Sequence, residues 1–251
     1  MARAALLGRL SVTSWRVATV VSLRDETPTA RSLVLKVPGW PGHQAGQHVD
    51  VRLTAPDGYQ AVRSYSIASV PAGERVELTV EVAPDGEVSP YLAQVASAGD
   101  RFEVRGPVGG WFVWRPEQTE PVQLVAGGSG VVPLMAMVRR HVSSASPAPL
   151  RMLYSARRPE AVIYRDELSR TATGELTYAY SRETPHDWLR PPGRIDAGLI
   201  AATTFSPELA PTCYVCGPTG FVENVADLLV RAEHDPSRIR TERFGPSGGS
   251  R

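Results

Sequence analysis

From Pro121 onward the sequence alternates strand-like and helix-like runs without a break. QLVAGG is followed by VVPLMAMVRRHV, LRMLYSA by YRDELSRTA, LTYAYS by IDAGLIAAT, and TCYVCG by GFVENVADLLVRAE. Strand and helix in strict turn predict βαβ units, hence a parallel sheet with helices on both faces. Ligands of such sheets bind at the carboxyl ends of the strands. The stretch from Trp15 to Trp114 follows a different pattern. Segments such as ARSLVLKVPG, QHVDVRLTA, AVRSYSIAS and RVELTVEVA are short, alternating and rich in Val, with Gly- or Pro-containing turns between them. About six such strands, with one short helix in PYLAQVAS, predict a small antiparallel barrel. The expected organisation is an N-terminal segment 1–14, a barrel domain 15–114, a linker RPEQTEP at 115–121, an α/β domain 122–245 and a flexible tail 246–251.

Composition narrows the class. Hydrophobic residues make up 42% of the 251, enough for two real cores, and 27 basic against 26 acidic side chains leave a net charge of +1. That balance gives no electrostatic footprint for nucleic acid. The two cysteines, Cys213 and Cys216, do not make a disulfide framework, which favours a reducing compartment and a cytoplasmic protein. In MARAALLGRL the apolar patch is broken by Gly8 and Arg9 before a secretory core forms. No window reaches the roughly 20 apolar residues of a membrane span. The five histidines, His43, His48, His141, His186 and His234, show no metal-ligand spacing and are expected mostly on the surface.

Two glycine turns carry binding chemistry. GGSGVVP, 127 to 133, follows a strand and opens a helix, with Gly128, Ser129 and Gly130 in the turn and Pro133 near the helix start. Glycines there let a backbone approach a pyrophosphate, and the helix start offers free N–H groups and a positive dipole end. CGPTG, 216 to 220, is a second such turn, bringing Cys216, Gly217 and Pro218 to the end of a later strand. A strand TCYVC separates the two cysteine Cα atoms by about 10 Å and puts the side chains on opposite faces. A disulfide needs roughly 4.4 to 6.8 Å. Cys213 therefore reads as a small buried hydrophobe, while Cys216 is better placed to face a ligand. In RSYSIAS, 63 to 69, strand alternation puts Arg63 and Tyr65 on one face.

RSYS, GGSGVVP and YVCGPTG, in that order across a barrel-then-βαβ change, resemble the ferredoxin–NADP reductase superfamily. The resemblance runs from about Trp15 to Phe244 and implies an antiparallel Greek-key barrel for FAD followed by a Rossmann-like NAD(P) domain. By it, Arg63 pairs with the flavin pyrophosphate, Tyr65 lies against the isoalloxazine, and Ser66 offers a hydroxyl near flavin N5, with Ser64 in the same cofactor-binding run. Strict alternation points Ser66 away from Tyr65, so that role needs a twist or a strand end. APDGEVSPYL, 83 to 92, matches the family's second phosphate-holding turn: Gly86 supplies the bend, and Val88 and Ser89 offer donors at a helix start. Ser89 is equally readable as a plain helix N-cap.

The resemblance also bears on the electron donor. NADP-preferring members carry a Ser-Arg pair after the third strand of the nucleotide domain; here Ser181 and Arg182 stand there, with Ser155, Arg157 and Arg158 after the preceding strand. This favours NADPH over NADH, although Glu183 is adjacent. Glu242 and Phe244 match a terminal Glu-x-aromatic, the acid near the nicotinamide and the aromatic over the flavin. A final strand pairing its sheet is the alternative. Ser66, Cys216 and Glu242 are thus the candidate catalytic residues. An iron–sulfur cluster needs four protein ligands, which two cysteines without a Cys-x-His segment do not supply. Electrons are then expected to pass to a separate ferredoxin, flavodoxin, oxygenase component, other oxidoreductase subunit or small acceptor, from a monomer or a transient complex. Two further readings stay open: a subunit active only in a permanent complex, and a nucleotide-binding module without turnover.

Overall fold

The computed structural model describes residues 14–171 and 175–245. Residues 1–13 of the expected N-terminal segment and the tail 246–251 lie outside the described residues. The chain divides into two compact units. One runs to Arg115 and takes in Met135–Arg140; the other comprises Pro116–Leu134 and the chain from His141.

The first unit holds six antiparallel strands: β1 (Arg16–Thr27), β2 (Ala30–Lys36), β3 (His48–Thr54), β4 (Gln60–Ser66), β5 (Arg75–Glu81) and β6 (Arg101–Val108). Their order is β4-β3-β6-β1-β2-β5. The terminal strands approach each other just past β4, where Ile67 bridges Leu78 and the Ala68 N–H donates to the Glu77 carbonyl at 2.8 Å. Edge pairing of this kind removes exposed strand edges and makes the sheet barrel-like. Alternation supplies the core: Leu33, Leu35, Val49, Val51, Val76 and Leu78 are all buried within it. The expected short helix is a single π-helical turn, Tyr91–Val95.

The second unit holds five parallel strands: β7 (Val122–Gly127), β8 (Leu150–Ala156), β9 (Glu175–Tyr180), β10 (Thr212–Pro218) and β11 (Ile239–Phe244). Between them come α1 (Val131–Ser143), α2 (Arg165–Arg170), α3 (Ala197–Thr203) and α4 (Thr219–Arg231). All six residues of β7 are buried, as expected for a strand covered on both faces. On α4 the spacing of Val222, Val225 and Leu229 makes one apolar stripe that packs on Val125 and Val215. Asp196 caps α3, its carboxylate accepting from the Leu199 N–H at 2.8 Å. Pro133 is the third residue of α1, where its missing N–H removes no intrahelical bond.

The strand order is β11-β10-β7-β8-β9. The chain builds outward from β7 through β8 and β9, then crosses back to place β10 and β11 on the other side. The order therefore reverses between β7 and β10, the point where doubly wound sheets open a crevice for ligands. Among the described residues no helix is long and apolar enough to cross a membrane, and no group of three His, Cys, Asp or Glu could hold a metal ion.

The histidines correct one expectation: His43, His141 and His234 are buried rather than on the surface. His43 shows how. The Trp40 indole N–H donates to its Nδ1 at 3.1 Å, and Nε2 lies 2.9 Å from the Ser69 carbonyl oxygen. An indole nitrogen only donates, so Nδ1 carries no proton and the neutral ring donates through Nε2. Burial holds the His43 pKa below its ordinary value, and His48 and His234 are shifted the same way. A histidine with a depressed folded-state pKa binds fewer protons folded than unfolded. Its contribution to stability is therefore complete above the unfolded value of about 6.5 and declines as pH falls through the folded one. Melting at about pH 7.5 and about pH 5.5 should give a lower Tm at the acid end, by about 2 to 4 °C for each kcal/mol lost. His43→Gln should flatten part of that slope.

Candidate functional site

In the first unit the RSYS residues lie along β4, in register with β3. Val51 faces Arg63 and Val49 faces Tyr65, which puts the two side chains on one face of the strand, as alternation predicts. Tyr65 is half-buried, and burial pushes its pKa up to about 12 against the opposing charge of Arg63. The ring is therefore an uncharged planar surface at any ordinary pH. Arg63 is exposed: Nη1 donates to the Val62 carbonyl at 2.7 Å, and Nη2 lies 3.4 Å from Glu87 Oε2. Ser64, on the other face, donates its hydroxyl to Asp50 at 2.7 Å, and Asp50 also accepts from Arg105 at 2.7 Å. The barrel itself thus engages that hydroxyl.

Ser66 is the last residue of β4, paired with His48 on the face of Ser64. It is 5% exposed, and its Oγ is a buried polar atom with no hydrogen-bond partner among the described residues. A buried hydroxyl left unsatisfied costs roughly 1 to 3 kcal/mol. Such an atom beside an arginine and a flat aromatic on one short strand marks a place for a polar ligand atom.

Gly86 closes the second turn, its N–H donating to the Ala83 carbonyl at 2.9 Å, and the place is crowded: a Cβ there would come within 2.9 Å of Ser89 Oγ and 3.1 Å of the Ala83 carbonyl oxygen. Ser89 neither caps the helical turn nor points outward; its Oγ accepts from the Ala83 N–H at 3.0 Å, while Pro90 holds the N-cap position. Val88 is fully buried. What the turn does present toward Arg63 is Glu87, a residue the sequence pattern gave no reason to select.

In the second unit, the two glycine turns fall at the ends of β7 and β10, adjacent strands paired in parallel from Thr212↔Val122 to Cys216↔Ala126. Gly128 has φ +55°, the left-handed region that glycine enters without cost. Gly130 is pressed against the neighbouring strand. A Cβ there would stand 2.6 Å from the Gly217 nitrogen and closer still to the carbonyl carbon and oxygen of Cys216. The Phe221 ring, from the start of α4, seals both turns; a Cβ on Gly127 would meet it at 2.7 Å and one on Gly217 at 2.8 Å. Phe221 was missed in the sequence. Its one signal is an aromatic one residue past CGPTG, at the opening of an amphipathic helix.

Cys216 is completely buried, with exposure beginning at Pro218. The physical reason is the Gly130 turn lying on its carbonyl, together with flanking strands on both sides. Burial, with the Glu242 carboxylate adding to it, raises the Cys216 thiol well above its ordinary pKa, so it stays a neutral S–H. Cys213 is buried too, pushed up to about 12, and both thiols are free. Glu242, Arg243 and Phe244 form the end of edge strand β11, with Glu242 opposite Cys216 and Phe244 opposite Pro218. The segment pairs with its sheet as a final strand.

Ser155 belongs to β8 rather than following it, and pairs with Gly127 and Ala179. The loops after β8 and β9 clasp each other: the Ser181 N–H donates to the Ala156 carbonyl at 2.9 Å and the Arg182 N–H to the Arg157 carbonyl at 3.0 Å. Arg157, Arg158, Ser181 and Arg182 are thereby gathered at the carboxyl ends of two neighbouring strands. Glu183 lies 3.5 Å from Arg158, whereas Arg157 and Arg182 pair with no carboxylate among the described residues.

Comparison with known proteins fits this division. The oxidoreductase FAD-binding domain family model matches residues 18–113 and the oxidoreductase NAD-binding domain model residues 124–227. A flavohemoprotein of Deinococcus radiodurans is 28% identical over 93% of this chain and 59% of its own length. The ferredoxin–NAD(P)(+) reductase component of the naphthalene 1,2-dioxygenase/salicylate 5-hydroxylase systems of a Ralstonia species is 29% identical over 92% of this chain and 69% of its own. The crystal structure of the flavohem-like FAD/NAD binding domain of nitric oxide dioxygenase from Vibrio cholerae superposes with a TM-score of 0.83 at 24% identity, covering 92% of this chain and 99% of that one. The chain spans little more than half the length of the flavohemoproteins it matches.

Proposed function

Because the chain belongs to the ferredoxin–NADP reductase superfamily, with an FAD-binding domain followed by an NAD-binding domain, we propose that it is an FAD-dependent NADPH oxidoreductase that hands electrons to a separate acceptor. The observation that carries this reading is the buried, partnerless hydroxyl of Ser66 on the strand that also bears Arg63 and Tyr65. Nothing in a barrel of this kind needs an unsatisfied hydroxyl at that depth, whereas a heterocyclic nitrogen or carbonyl supplies its partner.

The residues fit the cofactor. FAD, when bound, exchanges a two-electron hydride for single electrons, chemistry that belongs to the flavin. Arg63 holds its diphosphate with a permanent charge and a planar fork. Tyr65 keeps its phenol protonated and offers a flat face, and the Ser66 O–H donates to an acceptor on the ring edge. In the second unit the Gly128–Gly130 turn at the start of α1 receives the nucleotide diphosphate. Arg157, Ser181 and Arg182 take the 2′-phosphate. Cys216 keeps its proton on sulfur and lines the strand end as a neutral wall, while Glu242, next to it in the sheet, is the carboxylate available to move a proton. The relative from the Ralstonia species, a reductase component by name, supports transfer to a separate oxygenase-system protein. The flavohemoprotein relatives favour a second reading in which the acceptor is a haem protein.

Flavin absorbance, followed anaerobically on mixing with NADPH or NADH, tests the proposal. NADPH should bleach the flavin faster than NADH. Arg182→Leu should lower kcat/KM for NADPH roughly ten- to a hundredfold, the worth of a charge-assisted hydrogen bond of about 1.5 to 3 kcal/mol, with NADH little affected. Equal loss with both coenzymes would remove the 2′-phosphate assignment. Rapid mixing of the reduced protein with a ferredoxin and with a haem protein would separate the two acceptor readings.

A further inference from the structure

Resting on the FAD reading above, we infer that Glu87 is an affinity-setting residue of the flavin diphosphate site, a built-in carboxylate that competes with the diphosphate for Arg63. Glu87 Oε2 lies 3.4 Å from Arg63 Nη2. Its other oxygen, Oε1, accepts from the Tyr59 hydroxyl at 3.0 Å. Three elements thus meet at one spot: Tyr59 from the β3–β4 turn, Arg63 from β4, and Glu87 from the turn after β5. The Tyr59 phenol is shifted up from its ordinary value, chiefly by its hydrogen bond to Glu87, so it remains a donor and keeps the carboxylate in place.

Of the five N–H donors of Arg63, one on Nη1 goes to the Val62 carbonyl and one on Nη2 to Glu87, so an anion that takes the remaining donors comes to lie beside the carboxylate. A diphosphate arriving there meets a fixed negative charge and must displace it or tolerate it. Both side chains of the pair are about half exposed, 55% and 51%. Exchanging one partner for another therefore costs little structurally, but the like-charge repulsion persists whenever Glu87 stays near. The arrangement weakens binding of the diphosphate without altering the aromatic and hydroxyl contacts made by Tyr65 and Ser66, and so makes the flavin exchangeable.

The experiment is a titration of flavin-stripped protein with FAD, followed by quenching of flavin fluorescence, for wild type and Glu87→Gln at low and high salt. Glu87→Gln keeps the shape and the acceptor for Tyr59 while removing the charge. Its Kd for FAD should be roughly two- to fivefold lower than wild type at low salt, the scale of an exposed charge pair. The advantage should shrink at about 1 M salt, where screening acts within about 3 Å. An unchanged or higher Kd in the variant overturns the inference, as does a gain that salt leaves intact. Wild-type protein that binds no FAD overturns the FAD assignment itself, a separate and recognisable result.

Discussion

Gly130→Ala is expected to slow reduction of the flavin by nicotinamide nucleotide by about a hundredfold while leaving flavin bound. The substituted methyl would stand 2.6 Å from the Gly217 nitrogen and nearer still to the Cys216 carbonyl, all of them backbone atoms of β10 and its turn. Relaxed carbon contacts lie at about 3.5 to 4.0 Å. No rotamer change relieves a clash with backbone, so the turn after β7 must lift from the sheet by about 1 Å or more. Overpacking of this sort costs typically 1 to 3 kcal/mol in stability. The functional cost is larger, because the displaced segment is the one whose N–H groups would hold the coenzyme, and a misplacement of about 1 Å can cost about a hundredfold in rate. Gly128→Ala provides the graded control. There the obstacle is the left-handed φ of +55°, a strain of about 1 to 2 kcal/mol. The order of damage should be Gly130→Ala well above Gly128→Ala, read as coenzyme Kd and anaerobic reduction rate alongside flavin content. Wild-type reduction by the Gly130 variant would mean that the turn does not hold the coenzyme.

The two architectures were legible because each has its own period. β7 and β10 are short, mostly apolar runs buried along nearly their whole length, while β2, β3 and β5 alternate; those patterns are local and survive in the sequence. Placement of the glycine turns at strand ends was equally local. What was not legible depends on partners far along the chain. The sequence put Cys216 at a strand end, but nothing local showed that Gly130, far earlier in sequence, covers its carbonyl. His43 looked like a surface residue, yet the Ser69 carbonyl, 26 residues away, satisfies it inside the barrel. Ser89 read as a helix cap, and its hydroxyl is taken by Ala83 instead. Alternation placed Arg63 and Tyr65 on one face but could not show that Glu87, 24 residues on, stands against the guanidinium. In each case periodicity fixed the direction of a side chain and tertiary pairing fixed what it met.

Arg63→Ala is the second large effect, and its value as a test comes from how little the fold depends on that side chain. Arg63 is exposed, and its only ion pair among the described residues is the one with Glu87 at 3.4 Å. Exposed pairs of this kind contribute about 0 to 1 kcal/mol, so the variant should melt close to wild type in the absence of flavin. Hydrogen bonds from a guanidinium to a charged acceptor are worth about 1.5 to 3 kcal/mol. Losing them should weaken FAD binding by roughly ten- to a hundredfold or more, according to whether one or two bonds go. Arg63→Lys should recover only part of the loss, since an ammonium returns the charge without the planar fork. Riboflavin, which lacks the diphosphate, should bind wild type and Arg63→Ala alike, because Tyr65 and Ser66 are untouched. If riboflavin binding falls along with FAD, then Arg63 acts by shaping β4 rather than by holding phosphate. If FAD binding is unchanged in a normally melting variant, the anchor for the diphosphate lies elsewhere in the barrel.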